Sequence, residues 1–129
     1  MGFVHALVTL FPSNGREPLG IEMRVDTGAI FTMVPRPVLE QLGVRPSGKR
    51  VFQTIEGRPI ERDVGGIDLE VEGHRPPTLV PVIFGEGTGG AVLGVTALES
   101  MGLKVDPSAG TLTPTDLLML SISEMEEED

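Results

Sequence analysis

Glycine and proline punctuate this chain too densely for a helical bundle. Seventeen glycines and 11 prolines fall among 129 residues, and breaks that frequent favour short strands joined by turns. Several stretches between the breaks alternate apolar with polar residues, the pattern of a half-buried strand. The length fits one domain, enough to bury a real core but not two.

Charge narrows the partners. A formal net charge of −9 argues against nucleic acid, because a phosphate backbone demands clustered Lys and Arg. Five of the negative charges (Glu124, Glu126, Glu127, Glu128 and Asp129) lie in the last six residues, and without them −4 remains. The folded part is therefore only mildly acidic, and the end reads as a solvated tail. Zero cysteines exclude disulfides and thiolate metal sites and fit a reducing compartment. No apolar run approaches the ~20 residues of a membrane-spanning helix, and the N-terminus lacks the basic and apolar regions of a signal peptide. Ala6 stands where a myristoylation signal has Ser or Thr. The expectation is a soluble, cytoplasmic protein without a membrane partner.

Taken in order, Phe3 to Phe11 is a β-rich run, and Pro12-Ser13-Asn14-Gly15 supplies a hairpin turn with its strong Asn-Gly signal. Gly20 to Val25 is the return strand. Phe31 to Val34 predicts a short strand, and Pro35 and Pro37 open a helix over Pro37 to Leu42 with Gly43 as its C-cap. Lys49 to Ile55 and Arg58 to Val64 form a projecting hairpin with Glu56-Gly57 at its tip, and Gly65-Gly66 breaks it. Ile67 to Glu72 is an outer strand, Gly73 to Pro77 a loop, and Thr78 to Phe84 the most hydrophobic strand. A flexible loop, Gly85 to Gly90, comes next. It lacks the Gly-Lys-(Ser/Thr) ending of a phosphate cradle, so no nucleotide is expected. Ala91-Val92-Leu93-Gly94 precedes a helix over Val95 to Met101 capped by Gly102. A final hairpin runs through Leu103 to Asp106 and Thr111 to Thr113.

The chemistry-bearing candidates are few. His5 is a lone strand histidine, more simply structural than a base or ligand. His74 has no ligand partners at metal-binding spacing, so no metal is expected. Asp26-Thr27-Gly28 follows directly from an apolar strand. Its glycine permits a sharp turn and close approach of a partner, which sets the Asp26 carboxylate on a tight loop just past a strand end. An ordinary Asx turn would use the same residues.

Taken together with what lies downstream, the triplet gains meaning. Val25-Asp26-Thr27-Gly28-Ala29, then Thr32, the hairpin arm, Val92-Leu93-Gly94, and the closing pattern from Leu98 to Leu112 resemble the retropepsin-like aspartic proteases. The closing pattern looks more like the small cellular and prokaryotic single-domain members than the viral enzymes. The resemblance covers Phe3 to Thr113. It implies a mostly β fold: a retropepsin-like half-barrel with a flap hairpin and one or two short helices. Residues 1–115 would be the protease domain, and 116–129 a C-terminal extension.

The resemblance also implies an activity and a set of roles. Two carboxylates facing each other across a water share one proton, because like charges a few Å apart cannot both ionise. Asp63, Asp68, Asp106, Asp116 and Asp129 lack the Thr/Ser-Gly of such a loop, so one chain supplies one carboxylate. Two identical chains would meet on a two-fold axis, each giving Asp26, and hydrolyse peptide bonds without a cofactor. Thr27 would bond across the axis, Gly28 would leave room for substrate, and Ala29 would line the cleft floor. Ile30 and Phe31 stand where viral members carry acidic residues, which makes that part of the peptide site more apolar. Thr54, Ile55, Glu56, Gly57 and Arg58 would close over the peptide. Thr32, Val92, Leu93 and Gly94 would support the loop from beneath. Family members interleave terminal strands between subunits, for which Gly2 to Leu7 and Leu117 to Ile122 are candidates, the latter reading equally as a helix on its own domain. A non-hydrolytic peptide-binding or dimerisation module on the same fold stays open beside the endopeptidase.

Overall fold

The computed structural model describes residues 4–115. The expectations for Gly2, Phe3, Leu117 to Ile122 and the acidic end lie outside them. Among the described residues, nine strands and two short helices follow in the order β1 (Val4–Phe11), β2 (Leu19–Val25), β3 (Thr32–Pro35), α1 (Arg36–Gln41), β4 (Gly48–Gln53), β5 (Pro59–Val71), β6 (His74–Gly85), β7 (Val92–Leu93), α2 (Val95–Met101), β8 (Leu103–Asp106) and β9 (Thr111–Pro114).

Seven strands make one sheet in the order β1-β2-β7-β3-β6-β5-β4, and an additional β1–β5 pairing returns the sheet on itself. β4 stays outside that ring as a flange on β5. Alternation along each strand sends one set of side chains inward. Val8 and Leu10 of β1, Met23 and Val25 of β2, Ile67, Leu69 and Val71 of β5, and Val80, Val82 and Phe84 of β6 are all buried. Leu39 and Leu42 from the first helical segment and Ala97 and Leu98 from α2 join the same core.

The helices end as their sequences require. Gly43 follows α1 at φ +75°, the left-handed region that glycine occupies without a steric penalty. Its N–H donates to the Glu40 carbonyl and that of Val44 to Leu39, the paired bonds of a Schellman ending. α1 begins one residue before the expected Pro37, at Arg36, and its last residue is Gln41. α2 occupies the expected span, with Gly102 at φ 70° as its C-cap.

Two expected breaks are absent. Gly65-Gly66 does not interrupt the chain: β5 runs unbroken for 13 residues, because Gly65 and Gly66 pair with Val82 and Pro81 of β6. Gly73 to Pro77 is likewise not a loop. The turn is confined to Glu72-Gly73, and β6 begins at His74. Pro76 and Pro77 fall where the β5–β6 register shifts between Leu69 and Val71, and a residue lacking an N–H costs little where the ladder is already interrupted.

Candidate active site

Strand β7, two residues long, is threaded between β2 and β3. It runs parallel to β2 through Arg24↔Val92 and Val25↔Leu93, and antiparallel to β3 through Met33↔Val92. The chain from Asp26 to Phe31 links β2 to β3 across the end of this inserted strand. The Asp26 N–H donates to the Leu93 carbonyl at 3.1 Å, and the Asp26 carbonyl accepts from Ala29 N–H at 3.1 Å. Gly28 N–H donates to Asp26 Oδ1 at 2.9 Å, so one carboxylate oxygen is fixed by the loop's own backbone. The side chain keeps 32% of its surface exposed, and Oδ2 lies 3.9 Å from Arg24 Nη2. A pair that long and that open to water holds the carboxylate only weakly.

The other half of the loop rests on the start of α2. Val95 N–H donates to the Ala29 carbonyl at 2.8 Å, and Thr96 N–H to Ile30 at 3.0 Å. These bonds satisfy helix-start donors that have no partner inside the helix. Gly94 sits directly beneath. A Cβ there would come within 2.5 Å of the Phe31 carbonyl oxygen and 3.0 Å of the Ala29 oxygen. Only glycine allows this approach. Thr32, the one buried polar residue among those described, is 1% exposed, and its Oγ1 accepts from Gly94 N–H at 3.1 Å. Thus the structure brings together Asp26, Thr27, Gly28, Ala29, Ile30, Phe31, Thr32, Val92, Leu93 and Gly94. Thr27 and Gly28 are exposed at the turn, Ala29 is half-buried, and Ile30 is 66% exposed.

The hairpin residues stand apart from that cluster. The tip closes on itself: Thr54 N–H donates to the Arg58 carbonyl, Gly57 N–H to the Thr54 carbonyl, and Arg58 N–H to Thr54 Oγ1. Ile55 is fully exposed, and Glu56, Gly57 and Arg58 are exposed as well. The hairpin meets the loop through Phe52 of β4, whose ring packs edge-on to Phe31 with centroids 5.6 Å apart. Sequence reasoning missed Phe52. Its only signal was being an aromatic residue, one of five phenylalanines, on the half-exposed arm.

Solved structures share this architecture, among them two retroviral-type protease folds. The protease of simian foamy virus (mac) is 21% identical, with a TM-score of 0.52 over 73% of this chain and 90% of its own. The retroviral protease-like domain of Ddi1 from Leishmania major is 15% identical, with a TM-score of 0.58 over 88% of this chain and 89% of its own. The fold is retropepsin-like. No protein-family model and no curated protein sequence matches the chain.

Within this retropepsin-like frame an ionic network ties the arm to the body. Arg36, at the start of α1, bonds through Nη2 to Asp63 of β5 and to Glu86 in the loop after β6, the latter at 2.7 Å, while Lys49 Nζ of β4 reaches Asp63 at 2.8 Å. The Arg36 guanidinium also lies over the Phe84 ring, 5.0 Å from its centroid. Hydrogen bonds from Lys49 and Arg36 hold the Asp63 carboxyl below the usual carboxylate range, and Arg36 does the same for Glu86. Asp63 in turn raises the Lys49 ammonium above its ordinary value. Among the described residues no group of three or more His, Cys, Asp or Glu is placed to hold a metal ion, and no helix is long and apolar enough to cross a membrane.

Proposed function

We propose that this protein is a homodimeric aspartic endopeptidase in which each chain contributes Asp26. The observation that carries the reading is the setting of that residue on a retropepsin-like fold. Its carboxylate is oriented by Gly28 N–H, braced by β7 and α2 from below, and left open to solvent on one side. An acid or base must reach the proton it moves, and a carboxylate held this rigidly yet accessible meets that requirement.

Hydrolysis then needs two such groups. The ionised Asp26 takes a proton from a water as its oxygen attacks the scissile carbonyl carbon. The protonated Asp26 of the second copy gives its proton to the carbonyl oxygen. Collapse of the tetrahedral intermediate breaks the C–N bond. One hydroxyl of the intermediate gives its proton to the ionised carboxylate as C=O re-forms, the other carboxyl protonates the leaving amine, and the pair again holds one proton. Thr27 bonds between the two loops, and Thr54 to Arg58 fold over the peptide with Ala29, Ile30 and Phe31 below it. Two features support assembly. Ile30 and Ile55 expose apolar surface on the face that carries Asp26 and at the arm tip. β8 and β9 form a second, two-stranded sheet that packs on the core through Leu103, Val105 and Leu112, and its open edges can pair with another chain.

A second reading, a peptide-binding module without hydrolysis, draws on Arg24, a cation of the same chain within 3.9 Å of the Asp26 carboxylate. Cleavage of an unstructured protein at mildly acid pH decides between them. The peptidase reading expects fragments that vanish with a statine-type inhibitor and in Asp26→Asn, together with dimer in sedimentation. Cleavage that persists in Asp26→Asn, or a strictly monomeric chain at high micromolar concentration, would overturn it.

A further inference from the structure

We infer that the groove beneath the hairpin selects a peptide carrying an acidic side chain, with Arg50 as the residue that reads it. The inference rests on the peptide-site reading above and adds the class of substrate to it.

The β4–β5 register fixes which side chains share a face. Phe52 lies opposite Ile60 and Arg50 opposite Arg62, whereas Lys49 lies opposite Asp63. Successive residues of a strand point to opposite faces. Arg50 and Arg62 therefore share the face of Phe52, which is the face that touches Phe31 and the Asp26 loop. The other face is neutralised, since Lys49 and Arg36 are matched by Asp63 and Glu86. The inner face is not. Its register sets Arg50 and Arg62 opposite each other, and like charges so placed disfavour the pairing unless a negative group compensates them.

The described residues do not supply that negative charge to Arg50. Arg62 donates to the Glu61 carbonyl at 2.9 Å and lies near enough to Glu86 to help hold its carboxyl below the usual range. Among the described residues no carboxylate comes within ion-pair distance of Arg50. Instead Arg50 lines a groove of about 210 Å³ together with Phe31, Phe52, Val64 and Ile83. A groove smaller than the ~300–1,000 Å³ of a whole-ligand pocket suits one side chain. Phe31 and Phe52 wall it on one side, and the fork of Arg50, itself exposed, matches a carboxylate with two parallel bonds. The chain's overall charge of −9 does not oppose this, because at physiological salt it is screened beyond ~8 Å. The groove lies beside Phe31, at the far end of the loop from Asp26, so the acidic residue sits away from the scissile bond.

Two unstructured peptide libraries test this, alike except that one carries Glu wherever the other carries Gln. Anisotropy reports their binding, and mass spectrometry their cleavage. The Glu library is expected to bind about threefold more tightly, a difference of about 0.7 kcal/mol, and the preference should shrink as salt rises. In Arg50→Gln the Glu-to-Gln ratio should fall toward one, while Arg50→Lys, which keeps the charge but not the fork, should retain only part of it. Denaturation midpoints confirm that both variants fold. Equal binding of the two libraries, or a ratio unchanged in Arg50→Gln, overturns the inference. Glu-selective binding that depends on Arg50 but is followed by no cleavage sustains it and removes the peptidase reading alone.

Discussion

Gly94→Ala is the perturbation whose outcome the structure fixes most tightly. The glycine has φ −94° and ψ 175°, a backbone conformation open to any residue, so the effect comes from contact rather than from strain. The added methyl would stand 2.5 Å from the Phe31 carbonyl oxygen, 2.6 Å from its carbon and 3.0 Å from the Ala29 oxygen. All three are main-chain atoms, and bonds from Val95 and Thr96 hold that stretch in place. No side chain can swing away. Overpacking of this kind costs ~1–3 kcal/mol, and loss of glycine's freedom in the unfolded chain returns ~0.4–1 kcal/mol. Taking the middle of each range, a net loss of about 1.3 kcal/mol follows. Gly66→Ala is the matched control: its Cβ would meet Leu79 Cδ1 at 3.4 Å and the Val80 oxygen at 3.9 Å, ordinary contacts, so that variant should gain ~0.4–1 kcal/mol. Urea denaturation of both, with the slope m checked for constancy, separates them. A Gly94→Ala midpoint at or above that of the unsubstituted protein, or an equal fall in Gly66→Ala, would refute the reasoning. Because the methyl displaces the loop carrying Asp26, the proposed peptidase reading expects cleavage to fall further than the lost stability accounts for.

Other expectations follow from single contacts. Thr32→Val keeps the shape but leaves the buried Gly94 N–H without its acceptor, a loss of ~1–3 kcal/mol measurable by the same titration, whereas Thr32→Ser keeps the bond and loses only the ~0.8 kcal/mol of a buried methyl. A double-mutant cycle on Phe31→Ala and Phe52→Ala should give a coupling of ~0.5–1.5 kcal/mol for the edge-on pair; a coupling near zero would remove Phe52 from the account of the site. Asp63 and Glu86 have folded values depressed by their hydrogen bonds to Lys49 and Arg36. Their contribution is therefore complete above the ordinary carboxylate value of ~4 and is lost as pH falls through the lower folded values. Stability measured from pH ~6 downward should decline across that window, and Arg36→Met should flatten the decline.

The legible parts of the sequence were those where a local rule and the tertiary fold agree. α2 was readable to the residue because Gly94 precedes it and Gly102 closes it in the left-handed conformation. The strand entering Asp26 alternates cleanly, with Met23 and Val25 buried between exposed neighbours. Gly65-Gly66 misled for the opposite reason. Glycine breaks an isolated strand, but here both glycines have ladder partners on β6, and a Cβ on Gly65 would lie 3.2 Å from the Arg45 carbonyl oxygen and 3.4 Å from the Phe84 ring. The fold uses the missing side chain as space. The contacts of Phe52, Arg24 and Arg36 were invisible because each depends on a neighbour far along the chain or on a side-chain direction that no spacing rule supplies.

That unbroken β5 has a mechanical consequence. Its first residues pair only with β4, its middle with β6, and Asp68 to Val71 with β1 as well. A load applied at Ile55 cannot be relieved at a pivot, since no joint interrupts the beam between the tip and the seam that closes the sheet. It must be taken up as twist, most readily at the two residues without side chains. Gripping at one end is then felt at the other, some dozen residues away along a single strand.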